Sequence, residues 1–250
     1  MSLSGSERTR YGRRAKLGLI VPGTNTVNEA EWHRHAPDGV TVHSARMTLH
    51  ADVDTEAGRA ALFADITQAT DRLARAPLSA IAYGCTAGSM IHPVTALPKH
   101  MAATAGVPCV TTAGALVTAL HALDVHRVAI ATPYHDALNE HEAAFFEAAG
   151  FAVQRIIGLG IGADGFHEYA QLACTPEDVI SRHVQAADHH DADAMLVSCT
   201  DLPVLPLIPA LEKALGKPVI TSNQATLWAA LRAVDITDDL PALGTLLRIR

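Results

Sequence analysis

Residues 17–31, LGLIVPGTNTVNEAE, return as residues 128–142, VAIATPYHDALNEHE, 111 positions later and without a gap. The alignment pairs Pro22 with Pro133, Asn28 with Asn139, Glu29 with Glu140 and Glu31 with Glu142. A second match sets GVPCVTTAGALVTAL, from Gly106, against GKPVITSNQATLWAA, from Gly216, 110 positions on. Between these anchors two more apolar runs end in cysteine: IAYGCTAGSM around Cys85 and MLVSCTDLP around Cys199, 114 apart. Three matches in the same order mean that one half of the chain must fold much as the other does.

The repeated unit alternates strand and helix. KLGLIVPG reads as a strand closed by a Pro-Gly turn, and GRAALFADITQATDRLARAP carries apolar residues at helical spacing with Pro77 as a stop. Strand SAIAYG, helix VTALPKHMAATAG, strand PCVTT and helix GALVTALHAL follow. Such alternation predicts parallel sheets joined by right-handed crossovers. The expected fold is α/β, with two similar parallel-sheet lobes facing each other across a pseudo-twofold axis. The first lobe is expected over residues 15–118, completed by the closing segment 225–250, and the second over 119–224. Residues 1–14, MSLSGSERTRYGRR, are expected to form a flexible arm.

The remaining composition excludes several classes. A formal charge of −7 argues against nucleic-acid binding, which needs a basic face. No window resembles a membrane span, since VLPLIPALEKAL is broken by prolines and then by charge. The polar start lacks an apolar signal-peptide core, so a cytoplasmic location is the expectation. Four cysteines without a C-x-x-C pair fit free thiols rather than a disulfide framework. The fourteen histidines are scattered and do not reproduce a zinc-helix pattern, and neither a G-x-G-x-x-G after the first strand nor a P-loop is present. Neither a cofactor nor a metal is expected.

In a parallel α/β sheet, ligands bind beyond the carboxyl ends of the strands. Cys85 and Cys199 both stand there. Free backbone N–H groups and a helix N-terminus at that place would favour the thiolate. Thr86, Ser89 and Thr200 would supply a hydroxyl and N–H cradle for a carboxylate, and Gly84 and Gly88 would let substrate approach the backbone. A lone cysteine at a strand end is more often core than catalyst; two at equivalent places in opposed lobes point to function. Cys109 reads as core, and Cys174 as structural before a helix capped by Thr175. Two thiols on opposite sides of one small substrate suit cis–trans isomerisation, racemisation or epimerisation of an amino or hydroxy acid, or decarboxylation followed by protonation. A lobed binding protein for small acids is the non-enzymatic alternative. The polar segment 43–56 reads as a lid or rim whose Arg46 could reach a substrate carboxylate bidentately, though pairing with a nearby acid is the favoured reading, and segment 158–171 as the opposite rim of a cleft.

GLIVPGTNTVNEAE, AYGCTAGS, TTAGALVTALHALDVHRVAIATPY and SCTDLPVLPLIPALEKALGKPVITSNQATLWAALR together resemble the maleate cis–trans isomerase family. That family sits in the aspartate/glutamate racemase superfamily, which also contains arylmalonate decarboxylase. The resemblance runs over residues 16–233. It implies a two-lobed α/β fold, an active site between the lobes, independence of cofactors, a small carboxylic-acid substrate and a homo-oligomer. It also implies Cys85 as the nucleophile that adds to the double bond of a cis-diacid, and Cys199 as the residue that handles the proton at the neighbouring carbon. Asn25 would bind a substrate carboxylate and Tyr134 would hydrogen-bond the substrate. From the residues alone, Asn25 is equally an Asx turn after the Pro-Gly bend, and Tyr134 a half-buried ring. The decarboxylase branch carries glycine at the first cysteine position, so two cysteines favour isomerase or racemase chemistry. GTNT, in place of the family's common SSNT, removes one hydroxyl.

Overall fold

The computed structural model describes residues 10–50 and 55–249. Strands β1 (Ala15–Pro22), β2 (Val40–Met47), β3 (Ala80–Tyr83) and β4 (Cys109–Thr111) form one sheet. Strands β5 (Arg127–Tyr134), β6 (Ala152–Ile161), β7 (Ala194–Val197) and β8 (Val219–Thr221) form the other. Every pairing is parallel, and the order β2-β1-β3-β4 in the first sheet recurs as β6-β5-β7-β8 in the second. The helices are α1 (Asn28–His35), α2 (Glu56–Ala74), the four-residue α3 (Thr86–Ser89), α4 (Ala96–Ala105), α5 (Thr112–Ala122), α6 (Asp136–Ala148), α7 (Glu177–Ala187), α8 (Ile208–Leu215) and α9 (Ser222–Arg232). The two halves thus repeat one α/β topology about a pseudo-twofold, as the sequence repeat requires.

Strand alternation decides which core each residue joins. Leu17, Leu19 and Val21 of β1 and Ala80 and Ala82 of β3 enter a core shared with the second sheet. Ile20, Ile81 and Tyr83 point the other way, into a smaller core that takes in Leu62, Ile66, Ala69 and Leu73 of α2 and Leu97 and Met101 of α4. The helical spacing of those four α2 residues is the reason that segment docks as a helix. Thr55 caps it, its hydroxyl accepting the Gly58 N–H at 2.9 Å. The matched glycines Gly106 and Gly216 end α4 and α8 at φ +68° and +67°, which a side chain would resist.

Helices α5 and α9 follow the last strand of each sheet and are buried along most of their length. They pack on each other, and the Thr226 hydroxyl donates to that of Thr112 at 3.0 Å. The expected dividing lines at 118/119 and 224/225 fall inside these two helices. The closing segment, expected with the first lobe, rests on α8 and α9: Gln224 Nε2 donates to the Leu243 carbonyl at 2.5 Å, and the Glu212 carboxylate accepts the Thr245 N–H at 2.9 Å. Of the expected arm, residues 1–9 lie outside the described residues, and Arg14 is tied to Asp238 by an ion pair. No helix among the described residues is long and apolar enough to cross a membrane.

Candidate active site

Strands β3 and β7 occupy equivalent places in the two sheets, and each chain segment reaches its cysteine two residues past the strand end. Both sulfurs arrive at one cavity of about 310 Å³, which takes residues from both halves. Cys85 is 8% and Cys199 6% exposed, so each is largely enclosed yet open to that cavity. Cys85 stands at the N-cap of α3 in an extended conformation, its sulfur accepting the Gly88 N–H at 3.4 Å. Cys199 has no helix behind it. Its φ is +116°, a region that side chains avoid at a cost of about 1–3 kcal/mol. The Ser222 hydroxyl, accepting the Cys199 N–H at 3.0 Å, and the Asp201 N–H, donating to its sulfur at 3.4 Å, hold that conformation.

Electrostatically the thiols differ from the sequence expectation. Burial pushes the Cys85 thiol up, and pushes that of Cys199 up to about 12. Removal from water outweighs the N–H groups, and a single turn such as α3 carries too little dipole to reverse it. What offsets burial is local. Gly88 N–H and the Tyr83 hydroxyl favour the Cys85 anion; the Tyr134 hydroxyl and Asp201 N–H favour that of Cys199.

Asn25, Thr86, Tyr134 and Thr200 all line the cavity. Asn25 does so as an Asx turn: its Oδ1 accepts the N–H groups of Val27 and Asn28 at 3.1 and 3.0 Å, and Nδ2 donates to the Thr200 hydroxyl at 3.0 Å. One amide hydrogen is left. Thr200 passes its own hydroxyl proton to the Gly84 carbonyl at 3.1 Å, and the Thr86 and Ser222 hydroxyls meet at 2.8 Å, so these residues also join the two halves. Tyr134 is 4% exposed, more deeply set than a half-buried ring. Ser89 is placed elsewhere. Its hydroxyl donates to the Cys85 carbonyl at 2.6 Å and accepts the Ala113 N–H at 2.9 Å, and it is not among the cavity residues. Gly88 lines the cavity, and at both glycines packing also leaves no room for a side chain. A Cβ at Gly84 would strike the Asn28 amide, and one at Gly88 would strike the Tyr83 hydroxyl and come within 3.2 Å of the Cys85 sulfur.

Arg46 pairs with Glu29 at 3.1 Å and donates to the Asn25 carbonyl at 2.7 Å, so it braces Asn25 from behind. Of segment 43–56, residues 43–47 belong to β2, Leu49 and His50 line the cavity, and 51–54 lie outside the described residues. From 158–171, Tyr169 reaches the cavity, joined by Leu172. Cys109 is half-buried and Cys174 exposed, and α7 starts at Glu177 with Pro176 rather than Thr175 at its cap. The Thr175 hydroxyl instead donates back to the Leu172 carbonyl at 2.8 Å.

Sequence reasoning missed Tyr83, Asp201 and the cavity histidines His50, His135 and His141. Tyr83 was within reach, since two residues before Cys85 on a strand means the same face. The histidines come from three separate stretches that only the folded chain assembles. Among the described residues no Lys or Arg lines the cavity. The one cluster among the described residues that could offer metal ligands, His189, His190 and Asp191, is not among the cavity residues.

Two buried glutamates, matched by the repeat, sit behind the site. Glu31 accepts the Leu205 N–H at 3.1 Å and Asn223 Nδ2 at 2.6 Å, which fixes the turn after Cys199; burial raises its pKa to about 7. Glu142 is fully enclosed and also raised to about 7 by burial. Neither of its oxygens has a partner within hydrogen-bond distance, and the Ser198 hydroxyl, which favours its charge, does not outweigh burial.

A cysteine at the carboxyl end of a central strand in each of two matched parallel sheets, with one cavity between them, defines a two-lobed α/β protein with a dithiol site. The chain belongs to the arylmalonate decarboxylase family, whose profile matches residues 17–247, and maleate isomerases are among its relatives. It is 32% identical to a maleate isomerase of Nocardia farcinica over 93% of this chain and 95% of the relative. It is also 32% identical to the arylmalonate decarboxylase of Bordetella bronchiseptica, over 86% and 89%. Among solved structures, a cysteine-to-alanine form of the maleate isomerase Iso from Pseudomonas putida S16 with maleate superimposes with a TM-score of 0.85 at 27% identity, over 94% of this chain and 98% of that one. A cysteine-to-serine mutant of the Nocardia farcinica maleate cis–trans isomerase, with a covalently bound succinylcysteine intermediate, gives 0.82 at 29% identity, again over 94% and 98%.

Proposed function

We propose that the protein isomerises a small cis-enedioic acid of the maleate type to its trans isomer by covalent thiol addition. The observation that carries this reading is the meeting of Cys85 and Cys199, one from each repeat, on a single cavity. A relative of the same fold holding a succinylcysteine supports it. In the proposed sequence Cys85, a neutral thiol at rest, first gives its proton to solvent; its thiolate then adds to one alkene carbon, forming a C–S bond, while the π electrons pass to the neighbouring carbon and take a proton from the Cys199 thiol. The adduct now has a single bond about which its carbons rotate. The Cys199 thiolate then removes that proton, the double bond re-forms, and the C–S bond breaks to return the Cys85 thiolate. Nothing is oxidised or reduced overall.

The chain's own groups account for each requirement. Burial keeps both thiols neutral at rest, and the Tyr83 and Tyr134 hydroxyls with the Gly88 and Asp201 N–H groups stabilise each anion as it forms. Donors preorganised in an enclosed site are worth more than the same donors in water. The free Asn25 amide hydrogen, Thr86 and Tyr134 bind the substrate's carboxyl groups, with Thr200 holding the Asn25 amide in place, while Ser89 positions Cys85 through its carbonyl. The protein works in the cytoplasm as a homo-oligomer in this reading. Proton NMR of maleate with the fully reduced protein tests the activity: trans product should appear, and should vanish in Cys85→Ser and Cys199→Ser. Unchanged maleate with the parent protein, or undiminished turnover in Cys85→Ser, would refute the proposal.

A further inference from the structure

Asp201 lines the cavity beside Cys199, is 6% exposed, and is used on one side only. Its Oδ1 accepts the N–H groups of Thr26 and Val27 at 2.9 and 3.3 Å, capping α1 from the opposite half. Its Oδ2 takes no hydrogen bond from any described residue, and it is not sealed in, because it is absent from the buried unpaired atoms. Arg46 is the cation that acts on this carboxylate, but its guanidinium is occupied by the Asn25 carbonyl and Glu29. The other titratable groups around it are Cys199, Glu29 and Glu31 within α1, and the cavity residues Cys85, His50, His135, His141, Tyr83, Tyr134 and Tyr169. A nearly buried carboxylate oxygen with no donor is an incomplete hydrogen bond, and leaving it so costs free energy.

We propose that Asp201 is a specificity-determining residue whose free oxygen selects a substrate end group able to donate a hydrogen bond, so that the half-amide of a cis-enedioic acid is preferred to the dianion. This rests on the isomerase reading above. An amide has the shape of a carboxylate but presents N–H donors, whereas a second carboxylate beside Asp201 sets like charges together in an enclosed place. The remaining carboxylate keeps the Asn25 and Thr86 donors. Burial raises the Asp201 pKa to about 6, so above that pH the charge that rejects a dianion is present.

The test compares maleate with its half-amide as substrates, and succinate with its half-amide as unreactive ligands by calorimetry, at about pH 7.5. Both series use the parent protein and Asp201→Asn, whose side-chain oxygen can still cap α1 while its amide faces the cavity. The parent should favour the half-amide of each pair by about tenfold or more, as expected for a like-charge penalty, and Asp201→Asn should move the ratio at least about tenfold toward the dianion. A parent that prefers the dianion, or a ratio unmoved by Asp201→Asn, overturns the role of Asp201. If neither cis compound is isomerised, the isomerase reading fails, and the succinate pair still decides what Asp201 selects.

Discussion

Glu142→Gln should make the protein more stable at alkaline pH while changing it little in acid. The carboxyl is fully enclosed and its pKa is lifted from 4.5 to about 7. Between those values the native state keeps a proton that the unfolded chain gives up. The stability from that proton is therefore full below the unfolded value and is lost as pH rises through about 7. At 1.36 kcal/mol per pKa unit, the native state loses about 3 kcal/mol in all, and about 2.5 kcal/mol of that falls between about pH 5 and about pH 8. Glutamine has the same shape and no charge to bury. Urea unfolding of parent and variant at both pH values measures the effect as the difference between the two proteins, which removes the similar contribution of Glu31. The variant should gain about 2.5 kcal/mol on its parent between the two conditions. A difference that stays constant within about 0.5 kcal/mol would show that Glu142 ionises in the fold without cost, and the reasoning from burial would be wrong.

Three further outcomes are expected. Alkylation of Cys85 and Cys199 in the ligand-free protein, followed by peptide mapping against pH, should stay slow at neutral pH and accelerate only above about pH 9, the reverse of an activated thiol. Fast neutral alkylation of either would contradict burial as the dominant influence. Gly88→Ala places a methyl against the Tyr83 hydroxyl and the Cys85 sulfur, and turnover should fall by about tenfold or more while the fold survives, checked by kinetics beside circular dichroism. Asn223→Ala removes the 2.6 Å partner of one buried Glu31 oxygen and the 3.0 Å bond to the Thr200 carbonyl, while the Leu205 N–H stays on the other oxygen; denaturation should show a loss of about 1–3 kcal/mol, since one buried carboxyl oxygen then goes unpaired.

Much of this molecule is written in local pattern. Repeated segments, strand alternation and the apolar spacing of Leu62, Ile66, Ala69 and Leu73 act over a few residues, so the sequence alone determined the two matched parallel sheets and placed Cys85 and Cys199 at equivalent strand ends. Asn25 could be read both as an Asx turn and as a substrate contact, and the fold keeps both open by leaving it one amide hydrogen. What the sequence could not decide were properties that depend on enclosure and on contacts between distant segments. Whether a thiol at a strand end is an anion depends on how much water remains around it, and tertiary packing removes that water from both. Asp201 caps a helix of the other half, Glu31 grips the turn after Cys199, and α5 and α9 cross where a boundary between lobes was expected. Such contacts join residues more than a hundred positions apart. Secondary-structure periodicity carries no information over that distance, so only the packed chain settles them.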